Sequence, residues 1–382
     1  MGLPKKKLNI VLIEPFYSGS HKSWAEQYKK YSFHNIEILK LNGIYWKWRM
    51  HGGAITLAKM FNKYLEKNKK PDLLIISDML NLTVFYSFIK LNNLPIITFF
   101  HENQLTYPWS TQDRDKEKNR DHHYGFINYT TALKSNLVMF NSNFHKTSFI
   151  IALRKFLKQF PDHRDMENVD SIYNKSIVSY LGLNLKIFDK YKIKKRNKVP
   201  IILWNHRWEY DKNPIDFFKC LNYIKNKKIN FKLIILGEQF EQEMSIFSEA
   251  KIKFKKEIIH IGYCKKFEDY AKLLWISDII PITTKQDFFG ISIMEALYCN
   301  VIPILPNRLS YPELYDNKNN FNNFYNDLNE LKYKLEQLLK NINHLSENNK
   351  FRKIASQYDW SKIKDPYDLV MLNVYNNYYS EN

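Results

Sequence analysis

Two carboxylates, Asp287 and Glu295, are separated by seven residues in the segment KQDFFGISIMEALYCNVIPIL. Apolar residues recur between them at three-residue spacing, which predicts a short buried helix containing Glu295, with Asp287 in the preceding loop. The start of such a helix offers unpaired N–H groups to an anion. Two acceptors flanking an anion site suit a sugar nucleotide, although an exposed Asp and a solvated helical Glu also fit the spacing. The candidate phosphate-binding backbone is Phe289, Gly290 and Ile291.

A basic loop follows the apolar run Pro200–Trp204, which predicts a buried strand. The loop, NHRWEYDKNP, carries Arg207 and Lys212 five residues apart. Arginine presents a planar fork of donors and lysine a point charge, a pairing that suits a diphosphate. An exposed basic loop in a basic protein is the alternative, and the position at a strand end favours the functional interpretation.

Polar residues also follow the strand predicted at Pro95–Phe100. Ligands of open α/β sheets bind beyond the carboxyl ends of the strands. A histidine at this place can bond a sugar hydroxyl or a phosphate, or can be a satisfied structural residue. The candidates are His101, Glu102, Asn103 and Gln104.

The N-terminal region predicts the first unit of a nucleotide-binding α/β domain. An apolar strand at Leu8–Ile13 is followed by a small-residue turn around Gly19, and a helix is expected from Ser20 or His21. A single glycine is a weak signal compared with a G-x-G-x-x-G fingerprint. His21 could be a cation beside a phosphate or a solvated residue of the first helical turn.

The segment NGIYWKWRMHGG interleaves aromatic and basic residues, and its glycine pair predicts the end of a loop. Exposed aromatics beside cations can stack bases or sugars, so Trp48 and Arg49 are candidate acceptor contacts. The alternative is that the tryptophans pack in the core.

Composition narrows the class of protein. The 382 residues suffice for two domains, and 45% are hydrophobic, as expected for a globular chain. Three dispersed cysteines argue against a disulfide framework or a zinc cluster. The formal charge of +19 favours a polyanionic partner, or reflects a lysine-rich genome. Without a membrane-length apolar stretch or a signal peptide, the sequence predicts no membrane insertion and a cytoplasmic location.

Apolar runs alternate with helical patterns along the chain, which predicts an α/β architecture. Residues 160–175 look irregular, residues 177–183 look like the last strand of the first half, and residues 184–198 look like a linker. We expect an N-terminal domain over 1–185 and a C-terminal domain over 186–382, with the last helix packing back on the N-terminal domain. The D-x-D at Asp113 and Asp115 follows no apolar strand, so we expect a solvated loop and no metal site.

Several of these segments together resemble a known family. The D-x7-E segment is similar to the E-x7-E signature of retaining family-four glycosyltransferases, with Asp287 in place of the first Glu. The segments IEPFYSGSHKSW, FHENQLTYP, NHRWEYDKNP and DFFGISIMEALYC, with the later YPEL, more closely resemble the tRNA-queuosine α-mannosyltransferases and span residues 13–314. This resemblance implies a GT-B fold, in which two Rossmann-like domains with parallel sheets face a central cleft.

The resemblance also implies roles for individual residues. It implies a GDP-mannose donor, a queuosine-containing tRNA acceptor, and neither a metal nor another cofactor. Glu295 would bind the ribose, Asp287 the donor sugar, and Arg207 with Lys212 the diphosphate. His101 would contact the sugar near its anomeric carbon, and Gly19 would let the first loop approach the donor. The expected acceptor-binding residues are Ser20, His21, Glu102, Asn103, Gln104, Trp48 and Arg49.

Two other functions remain compatible with the sequence. A GT-B enzyme of the same chemistry could act on a lipid or envelope glycan, which predicts membrane association and activity without tRNA. A non-enzymatic RNA-binding protein could keep the fold without the activity, and the aspartate at position 287 is the one feature that supports it. No protein partner is implied in any of these cases.

Overall fold

The computed structural model describes residues 6–91, 93–108, 122–193, 197–238, 245–341 and 350–381, so the Asp113–Asp115 motif lies outside the described residues. The chain forms two compact units. The first comprises Met1–Leu183 together with Trp360–Asn382, and the second comprises Asn184–Asp359.

Parallel strands form the sheet of the first unit. They are β1 (Asn9–Tyr17), β2 (Asn35–Asn42), β3 (Leu73–Ser77), β4 (Ile96–Phe100), β5 (Leu137–Phe140) and β6 (Ser176–Val178). The helices are α1 (Gly19–Tyr31), α2 (Trp46–Lys67), α3 (Leu82–Phe88), α4 (His122–Lys134), α5 (Asn143–Leu157) and α6 (Glu167–Asn174). The strand order is β2-β1-β3-β4-β5-β6, so the order reverses between β1 and β3, where ligands of such sheets bind.

The second unit repeats this architecture. Its strands are β7 (Ile201–Asn205), β8 (Lys232–Leu236), β9 (Ile258–Gly262), β10 (Ile279–Pro281), β11 (Ile302–Pro306) and β12 (Phe324–Tyr325). Its helices are α7 (Pro214–Asn226), α8 (Ser245–Lys253), α9 (Phe267–Ile276), α10 (Ile291–Tyr298), α11 (Tyr311–Leu314), α12 (Asn317–Asn320), α13 (Leu328–Asn341) and α14 (Lys350–Ala355). The order β12-β11-β10-β7-β8-β9 places the switch point between β7 and β10.

Burial explains why the apolar runs form strands. Every residue of β3, β4 and β7 is buried, as expected for parallel strands covered by helices on both faces. The predictions of strands that became β4 and β7 are confirmed.

Four local predictions were wrong. Trp48, Arg49 and the glycine pair lie inside α2 rather than in a loop. Residues 160–175 contain α6. The predicted strand 177–183 ends at Val178. Beyond it the Tyr180 carbonyl accepts a 2.8 Å hydrogen bond from the Tyr367 hydroxyl instead of pairing in the sheet. The expected linker contains a 3-10 helix, Lys186–Tyr191, whose Phe188 is buried and accepts a hydrogen bond from Trp275 Nε1.

The last helix, α15 (Trp360–Glu381), belongs to the first unit. Trp360 and Tyr367 are buried and stack on or near Tyr28 of α1. The Asp368 carboxylate is nearly inaccessible and accepts hydrogen bonds from the Tyr28 hydroxyl and the Phe33 amide. Among the described helices, none combines the length and apolar character needed to cross a bilayer.

Candidate functional site

In the second unit, the end of β7 is tied to helix α10. The Asn205 side chain donates hydrogen bonds of 2.9 Å to the Ser292 carbonyl and to the Tyr270 hydroxyl. The loop that begins at Asn205 is therefore held beside the start of α10. Sequence reasoning placed Arg207 and the α10 segment in one site, and this unit brings their elements together.

The two cations of this loop each lie beside a carboxylate. Lys212 Nζ donates to the Gln286 carbonyl at 3.0 Å and lies 2.9 Å from Asp211 Oδ2. Arg207 Nη2 lies 3.1 Å from Glu209 Oε2, and about half of the Arg207 side chain is exposed. Burial raises the pKa of Glu209, with Arg207 opposing this shift. Both cations can exchange a carboxylate partner for a bound anion.

The same loop packs closely on the end of β8. A Cβ at Gly237 would lie 1.9 Å from the carbonyl oxygen of His206, and Gly237 has a φ of +140°. No other residue fits there without moving the backbone of the basic loop. Burial, followed by the charges of Lys212 and Arg207, lowers the pKa of His206 to about 3, so this histidine is neutral.

Helix α10 begins after Gly290, which has a φ of +83° and precedes the first-turn N–H groups of Ile291 and Ser292, while the Ile293 amide donates to the Gly290 carbonyl at 3.1 Å. Asp287 lies in the loop before the helix, as predicted. Its Oδ1 accepts from the Phe289 amide at 3.2 Å and its Oδ2 from the Tyr311 hydroxyl at 3.1 Å. Asp287 therefore shapes the loop that presents Gly290 and Ile291, and the Phe289 amide is engaged within that loop.

Glu295 lies in the second turn of α10. Its Oε2 accepts a 2.6 Å hydrogen bond from the Tyr270 hydroxyl. Burial raises the pKa of Glu295 to about 7, and the Tyr270 hydrogen bond opposes that shift. The carboxylate can accept further hydrogen bonds when it is ionised.

In the first unit, His101 follows β4 and its backbone is held from two sides. Its amide donates to Asp78 Oδ1 at 2.8 Å, and its carbonyl accepts from Asn141 Nδ2 at 2.9 Å. Both ring nitrogens are buried and have no hydrogen-bond partner among the described residues. Burial, and then the charge of His21, lowers the pKa of His101 well below its usual value. A neutral imidazole with buried, unsatisfied nitrogens is ready to bond a ligand hydroxyl.

His21 forms a buried ion pair beside it. His21 Nδ1 lies 3.1 Å from Glu14 Oε2, and the His21 and His101 rings lie 4.1 Å apart. Burial lowers the pKa of His21, but the charge of Glu14 and the hydrogen bond to it outweigh burial and bring the pKa to about 9. Burial raises the pKa of the neighbouring Asp78 to about 8.

This cluster has the donor types of a metal site, since ligand atoms of Glu14, His21 and His101 lie within 4.8 Å of one another. However, Glu14 Oε1 already accepts from Ser77 Oγ and from the Phe16 amide, both at 2.9 Å. Glu14 and His21 are therefore satisfied as an ion pair with hydrogen bonds, and we interpret the pair so, while the His101 ring nitrogens stay without a partner among the described residues.

The remaining first-unit candidates have different surroundings. Gly19 and Ser20 are exposed at the start of α1, and Gly19 has a φ of +49° with open space at its Cβ position. Asn103 is buried, and its oxygen accepts from the Leu105 and Thr106 amides at 3.2 and 3.0 Å, so it shapes its own turn. Gln104 Nε2 donates to Glu102 Oε1 at 3.0 Å, and both side chains are partly exposed.

Comparison with known proteins decides the family. A model described as "tRNA-queuosine alpha-mannosyltransferase N-terminal" matches residues 9–183, and one described as "Glycosyl transferases group 1" matches residues 186–358. The tRNA-queuosine alpha-mannosyltransferase of Drosophila melanogaster is 32% identical over 326 residues, which cover 82% of this chain and 83% of that protein.

The chain belongs to the tRNA-queuosine alpha-mannosyltransferase family. A more distant relative, a probable sucrose-phosphate synthase of Thermosipho melanesiensis, is 25% identical over 58% of this chain and 53% of its own length. The predicted family is thereby confirmed.

Solved structures share the fold of this tRNA-queuosine alpha-mannosyltransferase family member. A glycosyltransferase from Rickettsia africae superimposes with a TM-score of 0.68 at 18% identity, covering 98% of this chain and 100% of that one. Sucrose-phosphate synthase from Thermosynechococcus elongatus gives 0.66 at 12% identity, covering 98% and 100%. These neighbours, with the two parallel sheets, confirm the predicted α/β GT-B fold class.

Some residues of the site in this family member were missed by sequence reasoning. Glu14, inside β1, follows the apolar run Leu8–Ile13, and Asp78 follows β3, so the strand-end argument that selected His101 could also have selected them. Tyr270 lies within α9, and nothing in its local sequence signals its contact with Glu295.

Proposed function

We propose that this protein is a retaining glycosyltransferase that moves mannose from GDP-mannose to the queuosine base at the wobble position of tRNA. Membership of the tRNA-queuosine alpha-mannosyltransferase family carries the proposal. The positive formal charge of +19 agrees with a tRNA acceptor, because a cationic surface attracts the phosphate backbone. A tRNA substrate would place the reaction in the cytoplasm.

The second unit would bind the nucleotide portion of the donor. Arg207 and Lys212 are placed on a loop held against α10, and each can contribute a charged hydrogen bond to a diphosphate. The free N–H groups at the start of α10, after Gly290, add a partial positive charge. Glu295, when ionised, would accept hydrogen bonds from the ribose hydroxyls.

These groups suit the charge that develops during transfer. Cleavage of a glycosyl–phosphate bond leaves positive charge on the sugar and negative charge on the departing diphosphate. Arg207, Lys212 and the start of α10 would stabilise that negative charge electrostatically. The acceptor hydroxyl would attack from the face that the diphosphate leaves, and its proton would pass to a phosphate oxygen.

The first unit would supply the sugar and acceptor contacts. His101, neutral and with unsatisfied ring nitrogens, suits a sugar hydroxyl near the anomeric carbon. The protonated His21 adds a fixed positive charge beside it. Asp287 would contribute mainly by shaping the Gly290 loop, because both of its carboxylate oxygens are engaged there.

A direct assay tests the proposal. Purified protein is incubated with GDP-mannose and queuosine-containing tRNA, and the digested nucleosides are analysed by mass spectrometry. We expect a hexose added to queuosine, lost when GDP-mannose is omitted or when tRNA lacking queuosine is supplied. No hexose addition from any sugar nucleotide would exclude an enzyme with this acceptor, and transfer only to a lipid or glycan would assign a different one.

The donor can be tested separately. Binding to the native state raises the melting temperature, so nucleotides and sugar nucleotides can be ranked by the shift each produces. We expect GDP-mannose to give a larger shift than UDP-glucose or UDP-galactose. A larger shift with a uridine nucleotide would contradict the donor assignment and leave the family assignment unchanged.

A further inference from the structure

Two tryptophans near the start of α2 point to opposite environments. Trp46 packs against a buried cluster that includes Met50, Met79 and Tyr124. Trp48, two residues later, is 63% exposed, and Tyr45 before it is 75% exposed. Tyr45 and Trp48 therefore expose two large aromatic side chains close together in one segment, and such a surface suits contact with a flat ligand.

The backbone under Trp48 accommodates its ring. A Cβ at Gly52, one helical turn later, would lie 2.8 Å from Trp48 Cζ2 and 2.9 Å from Cε2. The indole therefore lies over the helix at Gly52, with its other side open to solvent. A glycine inside a helix costs about 1 kcal/mol relative to alanine. At this cost in helix stability, Gly52 leaves room for the Trp48 ring to lie flat on the helix with its other face exposed.

The surrounding loop is also fixed. Tyr45 has a φ of +54°, an uncommon conformation for a large residue. Arg49 Nε donates to the Asn42 carbonyl at 2.9 Å, which closes the loop before the helix. A Cβ at Gly43 would lie 2.3 Å from Ser18 Cβ, so this loop abuts the turn that leads into α1 and His21.

The charge of this segment favours an anion. Between Glu37 and Glu66 there is no acidic residue. The basic residues in that stretch are Lys40, Lys47, Arg49, Lys59 and Lys63. Lys47 and Arg49 flank Trp48 in the sequence, and an exposed aromatic ring beside cations is the arrangement that binds single-stranded nucleic acid, because bases stack on the ring and phosphates meet the cations.

We propose that Trp48 and Tyr45 form a stacking platform for an unpaired base of the anticodon loop of the acceptor tRNA. The proposal rests on the proposed function, since queuosine occupies the wobble position in that loop. Base stacking tolerates different bases, so the platform would contribute affinity and leave selection of queuosine to other contacts.

The test compares Trp48→Ala, Trp48→Phe and Gly52→Ala with the wild-type protein. Binding of queuosine-containing tRNA to each protein is measured by fluorescence anisotropy at several salt concentrations. Each protein is also assayed for hexose transfer. For Trp48→Ala we expect a roughly 5- to 100-fold higher Kd and KM for tRNA, with kcat at saturating tRNA unchanged. The salt dependence of binding should stay the same, because no phosphate contact is removed. The Kd and KM of Trp48→Phe for tRNA should lie between those of the wild type and those of Trp48→Ala.

Gly52→Ala separates stacking from folding. Alanine favours the helix, so the free energy of unfolding should rise or stay constant. The added methyl group should displace the indole and weaken tRNA binding. Tyr333→Ala is the matched control, because Tyr333 is 61% exposed on α13 and should bind tRNA as the wild type does.

The possible outcomes test the stacking platform and the proposed function separately. Wild-type tRNA affinity in Trp48→Ala and Gly52→Ala, in a protein that transfers hexose to tRNA, would overturn the platform alone. Absence of both tRNA binding and transfer in the wild-type protein would overturn the function and the platform together. Loss of self-association in Trp48→Ala, with tRNA affinity intact, would assign the surface to a second copy of the chain and overturn the proposal.

Discussion

The Tyr270 hydroxyl donates a 2.6 Å hydrogen bond to Glu295 Oε2, and it accepts one of 2.9 Å from the Asn205 side chain. This relay links the end of β7, helix α9 and helix α10 through one phenol. The carboxylate proposed to bind the donor ribose is thereby held by residues from two other elements. Its position and its protonation both depend on Tyr270.

The raised pKa of Glu295 predicts a pH dependence of donor binding. The pKa is about 7, so Glu295 is mostly protonated at pH 6 and mostly ionised at pH 8. We expect GDP-mannose, whose diphosphate diester does not titrate in this range, to bind more tightly as pH rises from 6 to 8. Glu295→Gln should bind about tenfold more weakly at pH 8 and show a nearly flat profile. Calorimetric titration measures the GDP-mannose affinity of the wild type and of Glu295→Gln at each pH. A wild-type affinity that does not change with pH would contradict this role for Glu295.

Removing the Tyr270 hydroxyl should shift the pH dependence of donor binding. The Tyr270 hydrogen bond lowers the pKa of Glu295, so Tyr270→Phe should raise the pKa further and shift the midpoint of the binding profile to higher pH. We also expect a KM for the donor raised about fivefold, with a smaller change in kcat. Tyr263→Phe, at a residue 66% exposed in the same unit, is the control and should match the wild type. An unshifted midpoint in Tyr270→Phe would show that the hydroxyl has no influence on the carboxylate.

Glu209 lies where it can compete with the diphosphate for Arg207. The two side chains are 3.1 Å apart, and the pair is partly exposed. In Glu209→Gln the competing charge is absent, so we expect GDP to bind about threefold to tenfold more tightly, with guanosine affinity unchanged. Glu268→Gln, at an exposed helical pair with Lys272, controls for the general change in charge. Weaker GDP binding in Glu209→Gln would instead make Glu209 a residue that positions Arg207.

Two glycines at strand and helix boundaries should differ in their sensitivity to alanine. At Gly237 the new Cβ would meet the His206 carbonyl, and φ is +140°, so we expect a loss of 3 kcal/mol or more, as an order of magnitude, in the free energy of unfolding. At Gly19 only the φ of +49° is unfavourable, and roughly 1 kcal/mol should be lost. Urea denaturation gives both values. Equal losses would show that the contact with His206 relaxes easily.

The Glu14–His21 pair should make stability depend on pH. The pKa of His21 is about 9 when folded and near 6.5 when unfolded, so its stabilisation is complete below pH 6.5 and lost as pH rises through 9. The shift corresponds to roughly 3 kcal/mol in total. Asp78, with a pKa of about 8, also reduces the free energy of unfolding as pH rises, but only up to about pH 8.

Across the window from pH 8 to 9, His21 contributes more of this decline than Asp78, because its pKa is the higher of the two. We expect the wild-type free energy of unfolding to fall by about 1 kcal/mol across this window because of His21, and Glu14→Gln to lack that part of the decline. Glu14→Gln should also be less stable at pH 7, since it breaks a buried ion pair. Glu26→Gln, at an exposed carboxylate, is the control. Parallel pH curves for the wild type and Glu14→Gln would refute the pairing.

The strands of this protein could be predicted because their signal is local. The runs that became β3, β4 and β7 are apolar throughout, and burial on both faces requires that composition. Helix α2 could not be predicted in the same way. Gly52 and Gly53 suggested the end of a loop, yet Gly53 is buried near Pro15 and Leu41, and Gly52 lies under Trp48, so tertiary packing outweighs their low helix propensity.

The site was predictable where chemistry coincides with strand ends. Arg207 follows β7, at the switch point of its sheet, while His101 follows β4 and its ring contacts that of His21, which lies beyond β1. The engagement of Asp287 with Tyr311 depends on a residue 24 positions later, which no local pattern reports. Asn103 follows the same strand as His101, and its oxygen accepts from amides of its own turn while its buried Nδ2 has no hydrogen-bond partner among the described residues, so its ligand contact stays a prediction.

The return of α15 to the first unit bears on how the protein is synthesised. Trp360 and Asp368 complete the packing around Tyr28, yet the ribosome makes them only after the whole of 184–359. The first unit therefore lacks its final helix throughout elongation, which leaves the Tyr28 face uncovered until the chain is released. The N-terminal segment, although translated first, should be the last to become resistant to proteases in a nascent chain.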